Sequence, residues 1–320
     1  MCTCKQGIAN TGTPNCSTSI EVPVKLFVQS LYDAEGNKNM IDLSVIAGPE
    51  DLDNAFFSAM INDTDPSKRL FPLPKMKNVE NTRGENRVES FKDGSKLYIG
   101  QGTRTFKALI VGKEATPQLA GKLESLRCTD FGIYMAGQTG SFIGSDATAG
   151  YLQPINIDQD SFSAKYMPPT DDAVQKIEIS FDFDVTEYDQ NLRAIIAEEM
   201  TCDVRELRGL LDAYYNVVSS TTAATVIDIY TDYGTALNRI PVEGLVAADF
   251  ISSDSSTTSR FYNITSTNDG NIDDLAESAT IPGRYTIEYT SQSSGDHLQF
   301  LCKKDGFDFT PMLNVQATVA

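Results

Sequence analysis

The stretch VQKIEISFDFDV, residues 174–185, constrains this chain more than any other. Ile177, Ile179, Phe181, Phe183 and Val185 fall on one side at period two. Val174, Lys176, Glu178, Ser180, Asp182 and Asp184 fall on the other. Successive side chains of a strand point to opposite faces, so this alternation predicts a β-strand with one face in a core and one in water. A helix would scatter the same apolar residues around its circumference.

Other segments repeat the period. IEVPVKLFV aligns Val22, Val24, Leu26 and Val28, and after the turn DAEGNKN comes MIDLSVI. RVESFKDGSKLYIGQGTRTFKALIVG places Asp93-Gly94, a favoured hairpin pair, between two alternating runs. In TDFGIYMAGQTGSFIG, Phe131, Ile133 and Met135 alternate, GQTG turns, and SFIG returns. YLQPINI and SFSAKY read as two further short strands.

Helical spacing is rarer. Leu52, Phe56, Ala59 and Met60 form one amphipathic stripe. Thr116 and Pro117 mark a helix start, followed by Leu119, Leu123 and Leu126. Tyr188, Leu192, Ile195 and Ile196 predict a third helix. Asp203 and Glu206, spaced like a capping box, predict a fourth through Leu207, Leu210, Leu211 and Tyr214. NDTDPSKRLFPLPKMKN, with three prolines, predicts a long loop over 62–78.

Composition divides the chain. Residues 1–20 are small and polar and read as an arm. Residues 21–220 carry the strands and helices above. Over 221–320 no helical stripe stands out except IDDLAES, and STNDGNIDD reads as a turn. TVIDIYT, FYNITS, GRYTIEYTS and LQFLCK are short strands separated by polar turns, which predicts an immunoglobulin-like β-sandwich. The fold class expected is therefore mainly β with a few helices, an α+β chain of two β domains.

Charge and chemistry exclude several functions. The chain has 44 acidic against 26 basic residues, a net charge of −18. The acid is spread along the chain, and no basic patch suits tight binding to nucleic acid. There is one histidine, His297, and no tryptophan. GxSxG, HExxH, Walker and GxGxxG motifs are absent, and KDGFDF and STNDGNIDD do not meet the calcium-loop spacing. Asp171-Asp172 in PPTDDAV reads as a turn. Neither an enzyme nor a cofactor is expected. No apolar run nears the roughly 20 residues of a membrane-spanning helix. The start lacks a signal-peptide pattern, so a soluble product of a cytoplasm is expected.

Residues 79–185 carry a resemblance. ENTRGENRVESFKDGSKLYIGQGTRTFKALI, the helix opened by Thr116-Pro117, DFGIYMAGQTGSFIG, and YLQPINIDQDSFSAKYMPPTDDAVQKIEISFDFD follow one another in the order of the major tail tube protein of long-tailed bacteriophages. The opening MCTCKQGIANTGTPNC also resembles the starts of some phage virion proteins. The resemblance implies a structural virion protein of the phage tail, assembled in the host cytoplasm. It implies a tail-tube-type β-sandwich or barrel domain whose homohexameric rings stack into a tube, with an immunoglobulin-like domain displayed outside. The implied partners are further copies, other tail proteins and phage DNA in passage, held without tight binding. A net-negative lumen repels DNA. Glu178, Asp182 and Asp184 are the candidate lumen-facing residues. They fit equally the solvated face of an ordinary strand.

Other readings stay open. A head-to-tail connector, a tail completion protein or a capsid decoration protein shares these features. A host-surface or glycan-binding module would draw on Tyr230, Tyr233, Tyr262, Tyr285 and Tyr289. Cys2, Cys4 and Cys16, with Cys128 or Cys202 as a fourth ligand, are the set from which a zinc site would be drawn. Their C-x-C-x11-C spacing lacks the usual pairing, so no metal is expected. They read as thiols of an arm that lies on a neighbouring subunit, or as inter-subunit bridges. The arm and the 62–78 loop are the candidate bridging segments.

Overall fold

The computed structural model describes residues 19–320. Strand takes up 46% and helix 14% of these residues, which makes a mainly β, α+β fold. The principal elements of the first half are β1 (Pro23–Ser30), α1 (Asn54–Ile61), β2 (Met76–Arg83), β3 (Arg87–Ser90), β4 (Lys96–Gly100), β5 (Arg104–Val111), α2 (Pro117–Ser125), β6 (Phe131–Gly137), β7 (Phe142–Ser145), β8 (Ile155–Met167), β9 (Lys176–Phe183) and β10 (Leu192–Ile195). One sheet runs β10-β7-β6-β8-β9-β5-β2, and β1 pairs with β6.

β9 keeps the alternation read from its sequence. Ile177, Ile179, Phe181 and Phe183 are buried, and the residues between them are half-exposed. Its neighbour β5 turns Phe106, Ala108 and Ile110 to the same core, with Phe106 and Phe181 stacked at 4.9 Å. Ala120 and Leu123 of α2 close this core. The Leu119 amide donates to the Thr116 hydroxyl at 3.1 Å, and Pro117 opens the helix. The Thr116-Pro117 start is realised.

β1 and β6 are buried on both faces. Leu26 and Val28 enter the core under α2, whereas Phe27 enters a second core with Phe57, Tyr134 and Phe142. The first half is thus three layers deep, with α1 on the far side. The Phe56 amide donates to the Asp53 carboxylate at 2.8 Å and caps α1. Its buried residues are Phe57 and Ile61, one position round from the expected stripe. At Gly132 a Cβ would lie 2.9 Å from the Ile155 carbonyl, so only glycine lets β8 cross this closely. β8 pairs first with β6 and then with β9, through a bulge between Asp158 and Ser163. One 13-residue bent strand therefore stands where two short ones were expected.

Two expected helices are absent. Leu192–Ile195 is β10, paired with β7 from Leu192↔Ser145 to Ile195↔Phe142. Its side chains serve two cores, Leu192 and Ala194 one and Ile195 the other, a two-sided demand that a strand meets. At Asp203 the carboxylate accepts from the Arg205 amide at 3.0 Å, and Glu206 pairs with Lys75 at 2.6 Å, so no capping box forms. The 62–78 segment is also no free loop. Leu70–Pro72 is a short strand on β1, and Arg69, Leu70, Leu73 and Met76 are buried.

The second sheet begins at Leu211, ten residues before the composition shift. Its main strands are β11 (Leu211–Ser220), β12 (Ala224–Gly234), β13 (Arg260–Asn263), β14 (Asn268–Glu277), β15 (Arg284–Tyr289), β16 (His297–Gln299) and β17 (Ala317–Thr318). They run in the continuous order β11-β12-β15-β14-β13-β16-β17. β14 joins the two halves. Asn268–Asn271 pair with β13, a bulge follows Ile272, and the rest pairs with β15. The sheet curls there around one core that includes Ile227, Tyr285, Phe261 and Phe300. STNDGNIDD and IDDLAES, expected as a turn and a helix, are mostly this bent strand. One sheet, bent at β14, thus lies on both sides of this core.

Candidate functional site

The polar face of β9 has mixed charge. Glu178 pairs with Lys107 of β5 at 3.1 Å. The Thr105 hydroxyl donates to Asp182 at 2.6 Å. Asp184 lies one residue past the strand end, where its carboxylate accepts from the Thr186 amide at 2.7 Å. The register puts Lys77, Lys107, Lys165 and Lys176 on the same face as Glu80, Asp158, Glu178 and Asp182. Glu178 and Asp182 thus share one surface, and that surface is balanced rather than acidic. Glu187, which has no sequence signal, accepts from the Ser145 hydroxyl at 2.6 Å, and burial pushes its carboxyl up.

β3 and β4 form a two-stranded arm that continues from β2 and β5. Its strands pair only with each other, as Val88↔Tyr98, Glu89↔Leu97 and Ser90↔Lys96. The tip is the expected Asp93-Gly94 turn: the Ser95 amide donates to the Asp93 carboxylate at 2.9 Å, and Gly94 has φ 83°. Val88 and Tyr98 project from one face, and Phe91, Leu97 and Ile99 from the other. All five are exposed, Ile99 by 58%. A lone hairpin of this kind is marginal in water, and an apolar patch of this kind marks an interaction surface.

The opposite edge of the sheet holds a cavity of about 510 Å³. Leu43, Ile46, Leu152 and Ile195 line its floor, and Arg193, paired with Asp146 at 2.8 Å, stands at the rim beside Glu199.

The remaining candidates separate. Tyr285 and Tyr289 are core residues and offer no ring to a glycan. Tyr230 is half-buried, stacked on Tyr214 at 6.3 Å with Arg239 over its ring. His297 is exposed, and its Nδ1 lies 3.1 Å from the Thr318 hydroxyl. Cys2, Cys4 and Cys16 lie outside the described residues. Cys202 is buried, and burial pushes its thiol up to about 11. Among the described residues no group of histidine, cysteine and carboxylate side chains is arranged to hold a metal. No described helix is long and apolar enough to cross a membrane. The chain matches no protein family, no curated protein and no solved structure.

Proposed function

We propose that this chain is a structural subunit that assembles with copies of itself, as stacked rings forming the tail tube of a long-tailed phage. The observation that carries the reading is the arm of β3 and β4. Its apolar side chains find no cover among the described residues, and a second chain supplies that cover. The resemblance over residues 79–185 gives the assembly its form, a hexameric ring around a channel. The face bearing Glu178 and Asp182 suits a channel wall that lets DNA slide, because balanced charge on a chain of net −18 offers phosphate no excess of cations. Glu178→Lys with Asp182→Lys is expected to leave assembly intact and to make the tubes retain DNA at low salt.

Negative-stain electron microscopy of the concentrated full chain tests the reading. Stacked rings or open-ended tubes with a central channel are expected. Monomers at every concentration overturn it, and single closed rings point instead to a connector. A dependence on reductant would assign inter-subunit bridges to Cys2, Cys4 or Cys16.

A further inference from the structure

We infer that the arm of one copy seats in the apolar cavity at the far edge of the next copy. This rests on the self-assembly reading and names the contact that builds it. The first sheet ends in β2 on one side and in β10 on the other. The arm extends from β2 and β5, and the cavity lies under β10, so each copy carries a donor at one edge and an acceptor at the other. A contact between two different patches is heterologous. It closes into a ring or continues as a filament, according to the rotation between copies.

Size and chemistry agree. From Gly84 to the turn at Gly94 the arm reaches about 30 Å at about 3.3 Å per residue, long enough to leave its own subunit. Phe91, Leu97 and Ile99 share one face. The cavity, at about 510 Å³, has room for several such side chains and is floored by Leu43, Ile46 and Ile195. At its rim Arg193 is neutralised by Asp146, which leaves Glu199 as the excess charge. The arm adds no net charge there, with Glu85, Glu89 and Asp93 against Arg87, Lys92 and Lys96.

Photocrosslinking tests the contact. Phe91 is replaced by benzoylphenylalanine in the full chain, the variant is mixed with isotope-labelled parent, and the mixture is irradiated after assembly. Mass spectrometry is expected to find links between copies, from residue 91 to segments 43–52, 149–152 or 193–199. Links to residues 1–18, to the second sheet or to another surface overturn the inference while the tubes themselves uphold self-assembly. If the parent does not assemble, the self-assembly reading falls and the inference falls with it. Ala149→Trp fills the cavity from an exposed position. It is expected to raise the concentration needed for assembly roughly tenfold, with an unchanged thermal midpoint. Unchanged assembly by a folded Ala149→Trp chain overturns the inference.

Discussion

Lys25 keeps an ammonium group inside the protein. It is 4% exposed, and its Nζ donates to the Arg205 carbonyl at 3.1 Å and to the Leu207 carbonyl. Burial, helped by repulsion from Lys75, lowers its pKa to about 8. The folded value lies below that of an unfolded lysine, so the charged form costs stability below about pH 8. That cost is relieved as pH rises from 8 towards 10.5. The thermal midpoint is expected to climb across this window, and Lys25→Met should remove the climb; identical slopes for the two proteins would refute it. Sequence alternation set Lys25 on the solvent side of its strand, opposite Leu26 and Val28. A second layer, supplied by residues 200–210, covers that side, and no local pattern announces it. Gly270 shows a different kind of hidden constraint. A Cβ there would lie 2.1 Å from the Phe261 ring. Gly270→Ala is expected to cost about 1–3 kcal/mol by overpacking, read as a lower urea midpoint.

The elements that could be read from sequence are those whose signals are local. Thr116-Pro117 and Asp53 cap α2 and α1, and Asp93-Gly94 turns the arm. Asp53→Ala should cost about 1 kcal/mol by orphaning the Phe56 amide. The false helices at 188–196 and 203–214 had helical spacing but gained more from a sheet edge and from two cores. Ile195 and Ile196 are β-branched, and Gly209 interrupts the second run. The arm is legible as a hairpin but not as a free one, because exposure is a property of what lies beside it. Joining Gly84 directly to Gly102 deletes it. This deletion is expected to leave the thermal midpoint within a few degrees of the parent and to abolish tubes; tubes from the deleted chain would exclude the arm from assembly.

The two halves of the molecule are joined by polar contacts. Arg69, which is buried, meets Asp308 at 2.7 Å. Lys122 of α2 reaches Asp212 at 2.8 Å and Asp232 at 3.0 Å on the second sheet. The Gly306 amide donates to Asn62 at 3.0 Å. Burial pushes the Asp308 carboxyl up, but hydrogen bonds from Thr310 and the charge of Arg69 outweigh it and leave the pKa lowered. A carboxylate with a lowered folded pKa adds stability above its unfolded value and loses it as pH falls through the folded one. The halves should therefore separate below about pH 4, seen as faster proteolysis within 205–210 while both sheets persist. Arg69→Met should weaken the join by about 2 kcal/mol and move the separation to higher pH; proteolysis unchanged in that variant would show that the pair does not hold the halves together.

By itself, the sequence determined that the chain is mainly β, that β9 alternates between core and solvent, and that α2 opens at Thr116-Pro117 and the arm turns at Asp93-Gly94. These depend on neighbours a few residues apart. Only the tertiary structure decided that β1 and β6 lie between two cores, that one bent strand closes the second sheet, and that the face of Glu178 and Asp182 is balanced by lysines from other strands. Each of these depends on residues far apart in the chain, brought together by register and layering, and a period-two pattern states which side is apolar without stating what covers it.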